Sequence, residues 1–267
     1  MKEHILSYLP GDHPWQNQIY WFDSIDSTNA EAKRMAQLGA PHGIVLIADH
    51  QTGGRGRMGR SFLSPAGMGI YLSVLLRPRC KPERLMHLTC ASAVSACEAV
   101  EKTAGLRAGI KWTNDLVYQN RKLAGILTEL SIDSKSGLMD YAIIGIGINC
   151  CQKESDFDPS IRSFAGSLSM FSDSSIERAR VAAGLIQELH RMDANLLSDH
   201  TGIMEKYRKD CITIGKDVSL VRADGNVRHG HAVDVADNGA LLVRFSDGKE
   251  EAVNSGEISI RGMYGYV

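Results

Sequence analysis

Long apolar runs and a secretory leader are both missing from this 267-residue sequence. A membrane-spanning helix needs about 20 predominantly apolar residues, and no run in the sequence approaches that length. The opening residues, MKEH, do not begin a signal peptide. We therefore predict a protein of the cytoplasm that has no membrane partner.

Cysteine and aromatic residues are also scarce. The six cysteines include no C-x-x-C pair and show no zinc-finger spacing, so neither a disulfide framework nor a structural zinc site is predicted. Aromatic residues make up only 6% of the chain, and 30 basic against 31 acidic residues leave a net charge of −1. A protein that binds long nucleic acids usually presents a broad basic surface. We therefore expect no DNA partner.

A local excess of positive charge interrupts this neutral background. Residues 50–82 contain no acid but hold six basic residues and six glycines. Such a short cationic segment fits a small anionic ligand better than a long polyanion. Within it lies the heptapeptide 54–60, GRGRMGR, which contains the pattern G-x-G-x-x-G. A dinucleotide-binding fingerprint requires a helix directly afterwards and an acid about 20 residues on, and residues 61–82 provide neither.

The arginines of this loop indicate what it binds. Arg55 and Arg57 alternate, so in an extended chain they lie on one face, and the glycine between them lets backbone N–H groups approach a ligand. Guanidinium groups match carboxylate and phosphate oxygens with paired hydrogen bonds. We predict a clamp for two anions, such as a carboxylate and a phosphate together. A solvated basic turn and an RNA-contacting arginine–glycine segment stay open as alternatives.

Two further segments carry lysines and glycines next to apolar strands. Residues 111–116 read KWTNDL, and residues 122–127 read KLAGIL. Gly125, Gly145 and Gly147 interrupt mostly apolar strands, where glycine often marks the close approach of a ligand or of another backbone. A flat apolar ligand fits that surface. A β-bulge explains the last two glycines equally well, and isolated lysines are usually surface residues.

The tripeptide Ser27-Thr28-Asn29 precedes a predicted helix. Thr28, with Glu31 three residues later, forms the pattern of a capping box. Capping is the ordinary role of such a threonine. The alternative is that its hydroxyl and the neighbouring backbone N–H groups bind a polar group of a ligand.

The patterns of apolar residues predict a chain with both helices and strands. We expect helices over residues 28–38, 83–104, 174–197 and 203–210, the third of which begins with a second capping box formed by Ser174 and Glu177. We expect strands over residues 20–25, 44–49, 70–76, 108–112, 116–119, 123–130 and 141–149. After Gly215, short β-rich runs are separated by Asp-Gly and Asn-Gly pairs, which are typical of hairpins. We predict two domains, 1–212 and 213–267, the second a small antiparallel barrel.

Taken together and in their order along the chain, the motifs described above resemble those of the biotin protein ligases (biotin–acetyl-CoA-carboxylase ligases). The resemblance covers about residues 20–267. The shared motifs are DSTN at 26–29, Gln51 with GRGRMGR at 54–60, KWTNDL at 111–116, KLAGIL at 122–127, GIGIN at 145–149 and GEIS at 256–259. Thr113 stands where the family usually has proline, and Phe62 where many members have tryptophan. The chain is similar to the ligase-only members, which lack an N-terminal DNA-binding domain.

The resemblance implies a fold and a reaction. The fold is α+β, with a mixed central sheet flanked by helices and a C-terminal SH3-like β-barrel. Biotin and MgATP form biotinyl-5′-AMP and pyrophosphate. A lysine of a biotin carboxyl carrier protein, from acetyl-CoA carboxylase or a similar carboxylase, then takes the biotin. Edge strands allow a homodimer, as in some relatives.

The resemblance also implies roles for individual residues. The catalytic set is Arg55, Arg57, Lys111 and Lys122. The biotin-binding set is Ser27, Thr28, Asn29, Gln51, Arg55, Gly56, Arg57, Lys122, Gly125, Gly145 and Gly147. The ATP-binding set is Arg57, Arg60, Phe62, Asn114, Asp115, Lys122 and Asn149. Asp115 either holds Mg²⁺ or assists deprotonation of the acceptor lysine, and the sequence leaves both roles open.

Three other functions compete with this interpretation. A lipoate or octanoyl ligase is the nearest alternative. The sequences of residues 54–60 and 122–127 favour biotin as the substrate over lipoate or octanoate. A non-catalytic biotin or nucleotide sensor would be free to lose Arg57 and Lys122, which are both intact. An RNA-binding module is disfavoured by the near-neutral charge and the few aromatic residues.

Overall fold

The computed structural model describes residues 1–222, 225–254 and 258–262, the last of these by their backbone. Two sequence predictions therefore lie partly outside the described residues. They are the motif GEIS at 256–259, because of Gly256 and Glu257, and the turn Asp224-Gly225, because of Asp224.

The described residues form five α-helices and twelve strands. The helices are α1 (Lys2–Ser7), α2 (Thr28–Gln37), α3 (Leu88–Ala104), α4 (Arg178–Asn195) and α5 (His200–Asp210). The first strands are β1 (Ile19–Ile25), β2 (Ile44–Gln51), β3 (Gly69–Leu76), β4 (Gly109–Lys111), β5 (Asp115–Tyr118), β6 (Arg121–Ile132) and β7 (Met139–Asn149). The last strands are β8 (Asp217–Arg222), β9 (Val227–Val235), β10 (Leu241–Arg244), β11 (Glu250–Val253) and β12 (Ile258–Gly262). In this part of the chain no helix has the length and apolar character to cross a membrane.

The first seven strands form one sheet in the order β1-β2-β3-β7-β6-β5-β4. β1 and β2 run parallel and the other neighbours run antiparallel, so the sheet is mixed. Helices α3 and α4 pack on one face within the main hydrophobic cluster, and α2 packs in a smaller cluster on the opposite face. The predicted α+β fold with a mixed, helix-flanked sheet is confirmed.

Successive side chains of β7 alternate between the face of the sheet that packs against the core and the opposite face. Ile144, Ile146 and Ile148 belong to the main cluster with α3 and α4. Successive residues of a strand point to opposite faces. The odd-numbered positions from 145 to 149 therefore lie on the face that carries α2.

The last five strands form a second, antiparallel sheet in the order β11-β10-β9-β8-β12. Its hairpins include the predicted turns at Asn238-Gly239 and Asp247-Gly248, whose glycines adopt positive φ angles of 84° and 81°. A small C-terminal β domain is therefore confirmed. The pairings of the described residues leave its sheet open, with β11 and β12 outermost, rather than closed into a barrel. The boundary between residues 212 and 213 stays a prediction.

Three predicted helix starts are wrong, and one of them is that of α5, which begins at His200 rather than at residue 203. Residues Pro82–Leu85 form a separate 3-10 turn, so α3 begins only at Leu88. The capping box expected at Ser174 is absent, because the backbone N–H of Ser174 bonds to the hydroxyl of Ser172 in a turn. Helix α4 begins at Arg178 without a side-chain cap.

Trp112, in the turn between β4 and β5, connects the two sheets. Its indole N–H donates to the carbonyl of Gly239 (2.9 Å), and its backbone N–H donates to Thr213 Oγ1 (2.9 Å). The hydroxyl of Tyr207, on α5, donates to the carbonyl of Thr113 (3.3 Å). The C-terminal sheet and α5 therefore fix the turn that contains the KWTNDL motif.

Replacing Trp112 by phenylalanine keeps an aromatic ring but leaves the carbonyl of Gly239 without this donor. Trp112 is only 4% exposed, so we expect W112F to lose about 1–3 kcal/mol of unfolding free energy, the usual cost of an unpaired buried group. Urea unfolding followed by circular dichroism measures the loss.

W21F is the matched control for this variant. Trp21 also donates a bond of 2.9 Å, to Asp23, but at the surface. We expect W21F to change the free energy of unfolding by less than about 0.5 kcal/mol. Equal losses in W112F and W21F would contradict an anchoring role for Trp112.

Candidate functional site

A cavity of about 1000 Å³ opens over the odd-numbered face of β7. Every residue that the sequence predicted for the site contributes to its walls. These residues are Ser27, Thr28, Asn29, Gln51, Arg55, Gly56, Arg57, Arg60, Phe62, Lys111, Asn114, Asp115, Lys122, Gly125, Gly145, Gly147 and Asn149. Segments that are distant in the sequence thus share one cavity, whereas the role of each residue stays a prediction.

Three positions on β7 divide the cavity along its length. We call the region at Gly145 the head end, the region at Gly147 the centre and the region at Asn149 the far end. A strand rises about 3.3 Å per residue, so the head end and the far end lie about 13 Å apart along β7.

At the head end, Gln51 joins the end of β2 to the start of α2. Its Oε1 accepts bonds from the backbone N–H of Thr28 (2.9 Å) and from the Thr28 hydroxyl (3.1 Å), while its Nε2 donates to Ser64 Oγ (2.9 Å). Because an N–H can only donate, these partners fix the orientation of the amide. Ser27, rather than Thr28, caps α2, since Ser27 Oγ accepts from the N–H of Ala30. The Thr28 hydroxyl belongs to the cavity wall instead.

Asn29 fills the space above Gly145. Its Nδ2 donates to Glu129 Oε2 (2.8 Å), and its Oδ1 accepts from Ser73 Oγ (2.6 Å). A Cβ at position 145 would lie 2.0 Å from Asn29 Oδ1. Gly145 therefore makes room for the side chain of Asn29, whereas the occupant predicted from the sequence is a ligand.

Phe62 covers the centre of the cavity. A Cβ at Gly147 would lie 2.5 Å from its ring, and one at Gly125 would lie 3.5 Å from it. The ring also meets Tyr71 edge-on, with centroids 6.3 Å apart. A flat ligand on these two glycines must therefore share the space with Phe62, which the resemblance assigns to ATP binding.

Two lysines and one carboxylate lie beside the centre. Lys122 Nζ forms an ion pair with Asp115 Oδ1 at 2.8 Å. In the register of the sheet, Asp115 lies opposite Lys111 on β4 and opposite Gly125 on β6. The backbone of Lys122 donates to the carbonyl of Phe164 (2.7 Å), which fixes where this side chain starts.

Arg57 reaches the same region from the glycine–arginine loop. One of its terminal nitrogens donates to Asn114 Oδ1 (2.7 Å), and Asn114 Nδ2 in turn donates to the carbonyl of Ile126 (3.0 Å). Burial lowers the pKa of Arg57, while the charge of Asp115 opposes that shift. An arginine stays protonated in proteins, so Arg57 presents a partly desolvated positive charge to the cavity.

The glycine–arginine loop is a hairpin with a sharp tip. Residues Arg55 and Ser61 pair across it, and the chain then turns at Arg57–Gly59, where Met58 adopts a positive φ of 55°. Arg57 is half-buried, whereas Arg55 is exposed. The extended chain assumed from the sequence is therefore wrong beyond Gly56, and the two arginines have different surroundings.

At the far end, the amide of Asn149 is engaged with the protein. Its Nδ2 donates to the carbonyl of Gly166 (2.9 Å), and its Oδ1 accepts from Gln152 Nε2 (3.3 Å). The segment 156–165 closes this end with the side chains of Phe157, Ile161 and Phe164. Sequence reasoning missed Gln152 and this segment, because no motif marks them.

The acidic residues of the cavity do not form a metal cluster. Across 1–222, 225–254 and 258–262, no group of three or more His, Cys, Asp or Glu residues is arranged to hold a metal ion. Asp115 contributes one carboxylate at the centre, paired with Lys122. Magnesium that arrives with a nucleotide usually keeps its phosphates and several waters and takes only one or two carboxylates, so this donor set fits MgATP.

Comparisons with known protein families match both parts of the chain. The Biotin/lipoate A/B protein ligase family matches residues 21–149. The Biotin protein ligase C terminal domain matches residues 213–261. The first range contains the whole wall from Ser27 to Asn149, and the second coincides with the C-terminal sheet.

Individual relatives agree with these matches. The bifunctional ligase/repressor BirA of Bacillus spizizenii is 34% identical over 234 residues, which cover 87% of this chain and 71% of that protein. The biotin–acetyl-CoA-carboxylase ligase of Mycobacterium tuberculosis is 31% identical over 237 residues, which cover 87% of this chain and 85% of that protein.

A solved structure extends the likeness to the whole fold. The biotin protein ligase from Aquifex aeolicus in complex with biotin and ATP matches with a TM-score of 0.77 at 28% identity, over 92% of this chain and 99% of that chain. The fold, the cavity residues and the relatives agree: the chain belongs to the biotin protein ligases, within the biotin/lipoate A/B protein ligase family.

Proposed function

We propose that this protein activates biotin with MgATP and transfers it to a carrier-protein lysine by means of the cavity residues described above. The observation that carries the proposal is that Arg57, Lys111 and Lys122 line the same cavity as the polar head end and the largely apolar far end. Two anionic substrates that enter from opposite ends would meet at these positive charges.

The first step joins two anions. A carboxylate oxygen of biotin attacks the α-phosphorus of ATP, the bond from that phosphorus to the β-bridging oxygen breaks, and pyrophosphate leaves with the electron pair. The carboxylate of biotin is already ionised at neutral pH, so the step needs no general base. The protein has to hold the two anions together and stabilise the charge that develops on the phosphate oxygens.

Lys122 and Arg57 suit these two tasks. Lys122, fixed by its backbone and paired with Asp115, lies over Gly125 at the centre, where the carboxylate and the α-phosphate would meet. Arg57, held by Asn114, directs a planar guanidinium into the cavity. Preorganised charges in a partly dry site stabilise a transition state without further rearrangement. Arg55 and Arg60 are both exposed, and we assign Arg55 to the biotin carboxylate and Arg60 to the outgoing phosphates.

Biotin is assigned to the head end and the nucleotide to the far end. The ureido ring of biotin carries N–H donors and a carbonyl, which require polar partners when buried. Thr28, Ser27 and Gln51 supply such groups at the head end. The apolar segment 156–165 at the far end suits the flat faces of adenine.

The second step transfers the biotinyl group. The neutral amine of the acceptor lysine attacks the acyl carbon, the bond to the phosphate oxygen breaks, AMP leaves, and the nitrogen loses a proton. Asp115, the carboxylate paired with Lys122, serves either to accept that proton or to hold the magnesium of MgATP. The hairpin 54–64 and Phe62 cover the centre, which would protect the reactive anhydride from water.

The acceptor is proposed to be the biotin carboxyl carrier part of acetyl-CoA carboxylase or of a similar carboxylase. The name of the Mycobacterium tuberculosis relative supports this choice. We also propose that the reaction takes place in the cytoplasm. A homodimer stays a prediction, and β1, an outer strand of the central sheet, offers an edge for it.

The reaction itself is tested with purified protein, MgATP and either biotin or lipoate. We expect mass spectrometry to detect biotinyl-AMP and released pyrophosphate with biotin only, because a site that bonds the ureido group rejects an acid without one. Lipoyl-AMP instead would overturn the biotin assignment of the head end. Binding of biotin without any adenylate would show a sensor rather than an enzyme.

Arg57→Ala tests the cationic centre. We expect it to lower the rate of adenylate formation by about 100- to 1000-fold, as for the loss of one preorganised donor to a developing charge. The dissociation constant of biotin, measured by calorimetry, should change much less. R79A is the matched control, since Arg79 is an exposed arginine of the same acid-free segment. Full activity of R57A, or equal losses in both variants, would exclude a phosphate role for Arg57.

A further inference from the structure

The side chain of Asn29 at the head end has a fixed orientation. Its Nδ2 donates to Glu129 Oε2 at 2.8 Å and, at the longer distance of 3.4 Å, to the carbonyl of Leu127. Both partners can only accept, so the nitrogen of the amide faces them and its oxygen faces the other way. A hydrogen bond to a carboxylate is roughly twice as strong as one between neutral groups, so Glu129 contributes most to this orientation.

The orientation of Asn29 determines where the hydroxyl hydrogen of Ser73 points. Ser73 is completely buried and lies beside Gly145 in the register of the sheet. Its Oγ is 2.6 Å from Asn29 Oδ1 and 2.7 Å from Thr28 Oγ1. A serine hydroxyl has one hydrogen, and an amide oxygen has none to give. The hydrogen of Ser73 is therefore directed to Asn29, and Ser73 Oγ is left as an acceptor beside Thr28.

Thr28 consequently keeps its own hydrogen on the protein side. Two acceptors lie within reach of its hydroxyl, Ser73 Oγ at 2.7 Å and Gln51 Oε1 at 3.1 Å. Whichever of them takes the hydrogen, Thr28 Oγ1 retains a lone pair for the cavity whose wall it forms. Asn29 Oδ1 lies above Gly145 on the floor of the same cavity. Both side chains thus present acceptors, which are complementary to a ligand with N–H donors.

The opposite orientation of the amide would change what the head end offers. With its nitrogen towards Ser73, Asn29 would donate to that hydroxyl, and Ser73 would donate in turn to Thr28. One lone pair of Thr28 would then be occupied by the protein, and an N–H group instead of an oxygen would lie above Gly145. The short bond from Asn29 to Glu129 opposes this reversal.

We infer that Glu129 is a positioning residue for biotin: it orients Asn29 so that the head end accepts hydrogen bonds from the N–H groups of the ureido ring. The inference rests on the proposed function, which assigns biotin to the head end. Glu129 acts through Asn29 and does not itself line the cavity. The dithiolane ring of lipoate carries no N–H group, so it offers these acceptors nothing.

The test uses calorimetry to measure the binding of biotin and of its two cyclic carbamates, in each of which one ureido N–H is replaced by oxygen. The wild-type protein should bind biotin about tenfold more tightly than the weaker of the two carbamates, because an oxygen has no hydrogen for the acceptors. E129L removes the carboxylate, and its preference should fall towards one. E129Q can still turn an amide oxygen to Asn29, so it should keep most of the preference.

E188L is the matched control. Glu188 is a buried glutamate with a short bond to Lys102 (2.5 Å), but it lies between α3 and α4 and does not line the cavity. This variant should keep the wild-type preference for biotin. The KM for ATP in adenylate formation should stay near the wild-type value in E129L and in E188L. E129M provides a second variant if E129L does not fold.

Several outcomes would overturn the inference. They are an E129L variant with the wild-type preference, an E129Q variant that loses as much as E129L, or a wild-type protein that binds both carbamates as tightly as biotin. A KM for ATP that rises in E129L as much as the dissociation constant of biotin would show a merely structural role. Failure of the proposed function is a separate result, because the wild-type protein would then form no biotinyl-AMP from biotin and MgATP.

Discussion

Repulsion between two anions is the constraint on which the arrangement of this site depends. A carboxylate and a triphosphate have to come together, so positive charges must lie at the centre of the cavity and stay there. A charged group removed from water is costly unless it is paired, and Asp115 supplies the pairing charge for Lys122. Arg57 is held by Asn114, which is itself fixed to the strand β6. Each cation is thus restrained by an element other than its own.

These restraints extend through the molecule. The turn that carries Asn114 is anchored by Trp112 to the C-terminal sheet and by Tyr207 to α5, which gives the small β domain a physical connection to the cationic centre. Side-chain alternation along β7 places Ile144, Ile146 and Ile148 in the core with α3 and α4, while Gly145, Gly147 and Asn149 form the cavity floor. Stability and chemistry therefore depend on opposite faces of one strand.

Much of this arrangement is predictable from the sequence, and the limits have identifiable causes. Strands and hairpins follow from local patterns, and the motif residues meet because they lie at the ends of neighbouring strands. Phe62 above Gly147 depends on how the loop folds back over the sheet, which no local pattern specifies. Gln152 lies in an irregular segment, and its hydrogen bond to Asn149 depends on tertiary structure that no local pattern specifies. The expected capping box at Ser174 failed because a serine turn competes for the same backbone N–H.

The most direct test of this account is a crystal structure of the protein with biotinyl-5′-AMP. The account predicts the acyl phosphate between Lys122 and Arg57, the ureido ring against Thr28 and Gln51, and adenine at the far end beside Gln152. It also predicts that the ring of Phe62 no longer lies in contact with Gly147. A ligand bound in the reverse direction, or an acyl phosphate away from both cations, would contradict it.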